Sequence, residues 1–230
     1  MIIDSLIPLF SLIALEVILG IDNIIFISIL ADKLPDAQRN KLRYWGIGLA
    51  MIIRLGLLAA ISVILKLDKS LFVVFDNDLS GKDLILVIGG LFLIYKSTKE
   101  IFEKTEHDLE ETNTHQKKGS FKTLLLEIIL LDLVFSIDSI ITAVGMVQEL
   151  WIMYAAVIVA VVIMLIASGP ISNFIRKHPS FKILALCFLL IIGISLIGEG
   201  LNFIIPKGYV YFSMGFAFFV NVIQMKKLRK

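Results

Sequence analysis

The chain has 230 residues, 58% of them hydrophobic and 18% charged, with a mean hydropathy of +0.91 and a formal net charge of +2. A water-soluble domain of this length needs more polar surface, so the composition excludes an ordinary soluble globule and makes the bilayer the expected solvent. One cysteine, Cys187, lies in an apolar run, which excludes a disulfide framework, a CxxC redox pair and a thiolate metal cluster.

Residues 1–10 carry no basic region and no small-residue cleavage site, so they are expected to open the first span of the mature protein. Long apolar windows predict helices at 6–30, 44–65, 84–98, 124–146, 150–167, 183–197 and 209–223. The fold class expected is therefore an all-α polytopic membrane protein of about seven transmembrane helices, six being the alternative count. The third and last windows are short, at 15 residues each.

The basic residues test that count. Lys33, Arg39, Lys41 and Arg43 follow the first window, and the central segment from Lys96 to Lys122 carries six lysines. Arg176, Lys177 and Lys182 separate the fifth from the sixth, and Lys226, Lys227, Arg229 and Lys230 end the chain. Seventeen basic residues thus occupy alternate segments, against four (Lys66, Lys69, Lys82 and Lys207) in the others and Arg54 inside a window. The positive-inside rule places the N-terminus outside and the C-terminus in the cytoplasm, which requires an odd number of spans. The stretch HDLEETNTH, with His107 and His115, belongs to a polar linker that reads as a solvated connector, either disordered or a short surface helix. His178 also falls in a polar connecting segment.

An internal repeat organises the spans. Glu16-Val-Ile-Leu-Gly-Ile-Asp22-Asn23-Ile-Ile25 aligns without a gap on Asp132-Leu-Val-Phe-Ser-Ile-Asp138-Ser139-Ile-Ile141, with four of ten positions identical. The second copy lies three spans after the first, so the two helices cross in opposite directions, the pattern of an inverted-topology repeat with a site near the midplane. The division expected is 1–102 for the first three-helix unit, 103–120 for a cytoplasmic linker, 121–202 for the inverted second unit, and 203–230 for an extra helix with a basic tail. Leu91-Phe-Leu-Ile-Tyr95 echoes Leu189-Leu-Ile-Ile-Gly193, and Glu100 and Glu199 close the two third spans.

Acids at this depth require compensation. Glu16 stands about 15 Å along the helix from Leu6, and each mid-span aspartate costs roughly 2.5–3.5 kcal/mol to insert. Five carboxyl groups (Glu16, Asp22, Glu127, Asp132 and Asp138) face a single base within the windows, Arg54. The remaining acids must be protonated, hydrated or bound to a cation. Glu16 and Asn23 share a helical face, as do Asp132 and Ser139, while Asp22 and Asp138 are turned about 120° away. A kinked turn at Gly20 or Ser136 would bring the acids to one cavity. An oxygen-rich set without Cys or His suits a hard divalent ion such as Mg²⁺, Ca²⁺ or Mn²⁺. The competing reading is that these acids serve only structural hydrogen bonds. Glu127 has no repeat partner, since its equivalent is Ser11.

The motifs LEVILGIDNIIF and LDLVFSIDSIITAVGM, the Arg54-bearing second span, ASGPIS and GISLIGEGL resemble the TerC family of integral membrane proteins, along nearly the whole chain. That resemblance implies a seven-helix fold related to the lysine-exporter superfamily, a bacterial plasma-membrane location and a role in metal homeostasis, its members being associated with manganese export. The family's acidic positions carry over to Glu16, Asp22, Asn23, Asp132 and Asp138.

The reading that follows is a secondary transporter exporting a divalent cation, Mn²⁺ first among candidates, and not an enzyme. Its metal ligands would be Glu16, Asp22, Asn23, Asp132, Asp138 and Ser139, with Glu127 and Arg54 serving proton coupling or charge balance. The partners expected are the lipid bilayer, the transported ion and protons; an oligomer is left open, and no prosthetic group or nucleic acid is expected. The alternative is a non-transporting membrane scaffold for metalation or envelope stress.

Overall fold

A computed structural model describes residues 2–61, 70–74, 77–107, 119–147, 149–203 and 205–228. Among them run α1 (Ile2–Ala31), α2 (Asp36–Ala59), β1 (Ser70–Val74), β2 (Asn77–Ser80), α3 (Gly81–His107), α4 (Phe121–Met146), α5 (Leu150–Lys177), α6 (Pro179–Gly200) and α7 (Lys207–Leu228). Seven helices therefore stand where seven windows were expected. The all-α expectation needs one amendment, a small antiparallel hairpin in which Val73 faces Asp78 and Val74 faces Asn77. The end of the second window beyond 61, and most of HDLEETNTH including His115, lie outside the described residues.

Local chemistry accounts for the helix ends. Ser80 and Asp83 form a reciprocal capping box at the start of α3: the Ser80 amide donates to Asp83 Oδ2 at 2.8 Å, and the Asp83 amide donates to Ser80 Oγ at 3.2 Å. Pro179 opens α6, where its missing N–H is no loss, and only His178 separates α5 from α6. The third and seventh helices are longer than their apolar windows, at 27 and 22 residues. The excess lies in charged and polar ends, and α3 runs through His107, inside the stretch read as linker.

Polarity is arranged inside out. Glu16, Asp22, Asn23, Arg54, Asp132, Ser136, Asp138 and Ser139 are all buried, while Ile52, Ile88, Tyr95, Ile166 and Phe212 stand exposed, Phe212 at 76%. Burying ionic groups and exposing aromatic ones is unfavourable in water and favourable in hydrocarbon. Five helices, α1, α2, α5, α6 and α7, are long and apolar enough to cross a membrane. The other two, α3 and α4, extend about 40 Å each at the helical rise, more than the hydrocarbon thickness. The protein is an integral membrane protein built of helices.

Two helix pairs form the tightest seams, α3 with α6 and α1 with α5, and α4 packs on α2 and α1 while α7 rests chiefly on α6. The α3–α6 seam depends on Gly90 and Gly193, whose backbones meet directly. A Cβ added to Gly90 would lie 2.6 Å from the Gly193 carbonyl oxygen. Small residues matter here because helix association in lipid relies on close packing rather than on hydrophobic exclusion.

Ion pairs tie together the end of the bundle where the basic segments gather. The turn after α1 pairs Lys33 with Glu100, and with Glu103 at 3.4 Å, while Asp32 takes Lys182 at 2.5 Å. Burial disfavours the Lys33 ammonium, but the hydrogen bond and charge of Glu100, aided by Glu103, hold its pKa above the ordinary lysine value.

Gly90→Ala is expected to lower the melting temperature in detergent, at a cost of about 1–3 kcal/mol for overpacking. Gly48→Ala on α2, where an added Cβ meets nothing within 4 Å, is expected to be neutral or stabilising by up to ~1 kcal/mol. Equal effects at the two sites in a thermal-unfolding assay would contradict the proposed seam.

Candidate functional site

The centre of the bundle is organised by Arg54, which α2 carries inward to 2% exposure. Its Nη1 donates to Glu16 Oε2 on α1 at 2.5 Å, and its Nη2 donates to Asp132 Oδ1 on α4 at 2.9 Å. Asp132 Oδ1 also accepts from Arg54 Nε at 3.3 Å and from Asn23 Nδ2 at 3.1 Å, while Oδ2 accepts from Ser136 Oγ at 3.1 Å. Four donors leave Asp132 fully engaged in this conformation. Ser139 lies beside Glu16, its hydroxyl donating to the Ser136 carbonyl at 3.3 Å. Two carboxylates share one guanidinium, so the amide and hydroxyl donors spread the remaining negative charge.

Arg54, Asn23 and Asp132 border a first, small cavity. Its apolar wall includes Phe26, Ile27 and Ile128, which lie in the parts of α1 and α4 that lead to the basic end. Asn23 Oδ1 has no hydrogen-bond partner among the described residues, leaving a buried oxygen acceptor.

The second cavity, also small, takes in Asp22 and Asp138 from the two matched motifs, with Glu199, Lys207 and Tyr211. Glu199 ends α6 and Lys207 starts α7, so this cavity leads toward the opposite end of the bundle. Lys207 Nζ pairs with Asp138 Oδ2 and stands 3.8 Å from Glu199, which Lys82 approaches from another side at 3.4 Å. Tyr211 is close enough to feel the charges of Asp22 and Asp138. Asp22 itself is 6% exposed and makes no hydrogen bond or ion pair among the described residues.

The residues expected to form one metal shell are thus divided, Asn23 and Asp132 bordering the first cavity and Asp22 and Asp138 the second. Glu16, Asn23, Asp132 and Ser139 surround Arg54; Asp22 and Asp138 face away from it. No kinked turn brings them together, because α1 and α4 run unbroken through Gly20 and Ser136. Gly20 instead makes room for a neighbour, since an added Cβ would lie 2.2 Å from Met164 Sδ on α5. Among the described residues, no three His, Cys, Asp or Glu side chains stand grouped as a ready-made metal shell.

The expectation of a single base also needs correction. Lys207 reaches Asp138 and Lys96 pairs with Glu127, whose other oxygen, Oε2, is buried without a partner. Lys207 comes from the start of α7 and Lys96 from within α3, and long apolar stems carry their ammonium groups inward. Only the near-repeat of Glu100 and Glu199 hinted in sequence at an acid beside the second cavity.

These features can be set beside known proteins. The Integral membrane protein TerC family matches residues 2–228. The UPF0053 inner membrane protein YoaE of Escherichia coli (strain K12) is 49% identical over 214 residues, covering 93% of this chain but 41% of YoaE, so the chain spans less than half the length of that relative. A UPF0053 protein of Haemophilus influenzae is 49% identical over 226 residues, 98% of this chain and 95% of that protein. The UPF0053 inner membrane protein YgdQ of Escherichia coli (strain K12) is 47% identical over 220 residues, 94% of this chain and 92% of YgdQ. No solved structure matches. With the family pattern running through every helix described above, the chain belongs to the TerC family of integral membrane proteins.

Proposed function

We propose that this protein is a secondary transporter of the inner membrane that exports a divalent cation, Mn²⁺ being the cargo its family resemblance implies. The observation that carries the reading is the pair of cavities leading toward opposite ends of the bundle. They come close together at adjacent residues of α1, with Asn23 in one and Asp22 in the other. On α4, Asp132 and Asp138 divide in the same way.

The helix contacts support treating the bundle as two inverted three-helix halves. Exchanging α1 with α4, α2 with α5 and α3 with α6 carries the α1–α5 seam onto α2–α4, and carries the α3–α6 seam onto itself; both members of each relation are packed. Alternating access by rocking of such halves would expose a central carboxylate site first to one cavity and then to the other. The basic end, facing the cytoplasm, would admit the ion past Asn23. Asp22 and Asp138 would hold it as hard oxygen ligands, with Glu16, Asn23, Asp132 and Ser139 joining the shell as the halves move. Proton return on the vacated carboxylates would reset the carrier, with Glu127 a lesser participant.

A scaffold without transport is the second reading, favoured by the exposed phenylalanines of α7 (Phe212, Phe216 and Phe219), which offer a face to a partner.

Proteoliposome flux separates the two. The expected result is saturable Mn²⁺ movement that falls at least about tenfold in an Asp22→Asn, Asp138→Asn double mutant, the loss of roughly one charge-assisted contact or more. No flux of Mn²⁺, Mg²⁺, Ca²⁺ or Zn²⁺ from folded protein would favour the scaffold. Separately, Arg54→Met leaves Glu16 and Asp132 buried without a counter-charge, and is expected to destabilise the fold by about 3–5 kcal/mol. Adding Glu16→Gln and Asp132→Asn should restore much of that stability in a thermal-unfolding assay. If Arg54→Met alone melts like the parent, Arg54 does not organise the centre.

A further inference from the structure

We propose that Lys207 is a tethered counter-cation: its ammonium occupies Asp138 and Glu199 in the second cavity, and a divalent ion must displace it to bind between Asp22 and Asp138. This inference rests on the transport reading and adds the device that sets affinity and release at its site.

Three observations combine. Asp22 is an unpartnered carboxylate, buried and bordering a cavity whose other walls include Leu19, Phe135 and Leu196. Such a group is costly in a membrane interior when ionised, unless a cation reaches it. Lys207 pairs with Asp138 and stands near Glu199, while its side chain remains 35% exposed. It is the first residue of α7, so a four-carbon stem at a helix start can swing outward without disturbing the bundle. Lys82, meanwhile, stays with Glu199 from the other side.

Charge counting gives the consequence. With its carboxylates ionised, the cluster sets Asp22, Asp138 and Glu199 against Lys207 and Lys82, which leaves one net negative charge. Replacing one ammonium by a divalent ion brings the cluster to neutrality, whereas a monovalent ion leaves the charge unchanged. The arrangement therefore favours divalent over monovalent cations by charge, before any difference in coordination. When the ion departs, Lys207 returns, and Asp138 and Glu199 do not stay bare in a poorly hydrated site. The same competition weakens binding on this side and promotes release.

The test uses the full chain. Mn²⁺ binding to purified protein would be read by the electron paramagnetic resonance of free Mn²⁺, and turnover by proteoliposome flux. Lys207→Met is expected to bind Mn²⁺ tighter by roughly tenfold to a hundredfold, the worth of one charge-assisted hydrogen bond, and to turn over more slowly. Lys207→Arg should stay near the parent in affinity. A merely structural role for Lys207 would weaken binding rather than strengthen it. In the parent protein, saturating Mn²⁺ should speed acylation of Lys207 by a membrane-impermeant amine reagent, followed by peptide mass spectrometry, and this arm needs no variant to fold. Unchanged or weaker binding in folded Lys207→Met beside intact parental flux would overturn the role of Lys207 alone. So would Lys207 labelling that Mn²⁺ leaves unchanged or slows. A parent that neither binds nor moves a divalent ion would overturn the transport reading and this inference together.

Discussion

A guanidinium at the centre of a membrane bundle is tolerable only if carboxylates meet it, and Arg54 meets two. Its bonds to Glu16 and Asp132 join α2 to α1 and α4, the helices that carry the duplicated acidic motif. Breaking one partner away leaves a buried charge uncompensated, which costs several times more than losing an exposed pair. The orientation of the second acid in each motif follows from this contact. Once Glu16 and Asp132 are turned toward Arg54, helical geometry turns Asp22 and Asp138, six residues further along each helix, about 120° away.

The centre therefore separates two kinds of carboxylate. Those on Arg54 are saturated by donors and maintain the alignment of the halves. Those on the other face meet a cavity in which Asp138 takes a lysine and Asp22 takes no partner among the described residues. In a bilayer interior this difference matters, because an ionised group without a partner has no bulk water to solvate it. In the proposed transport reading, cation binding draws on the second kind, while the first joins α2 to α1 and α4.

The close seams set how such movement is distributed. At Gly90 and Gly193 the backbones of α3 and α6 touch, and at Gly20 the α1 backbone admits Met164 of α5. Backbone contact of that kind resists small adjustments, so the helices of each seam are best regarded as moving together. Between the seams lie the cavities, and at the basic end the pairs made by Asp32 and Lys33 join α1 to α6 and α3. Opening that end would require those exposed and half-buried pairs to part, a smaller cost than parting the buried contacts of Arg54.

Much of this was legible in the amino-acid order. Apolar windows located the seven helices among the described residues, because lipid demands long uninterrupted apolar stretches and leaves little room for ambiguity. The gapless match of Glu16–Ile25 to Asp132–Ile141 exposed the duplication, and the scarcity of bases marked those acids as the chemically demanding residues. The hairpin between α2 and α3 was not legible, since its nine strand residues carry only a weak pairing signal. What the sequence determined by itself was the helical membrane architecture and the identity of the buried acids, both of which depend on local composition and spacing. Which acid meets which base was decided only by the tertiary structure. Lys207 lies 69 residues from Asp138, and Arg54 lies 78 from Asp132; pairings across such separations arise from helix packing, to which period and composition are blind.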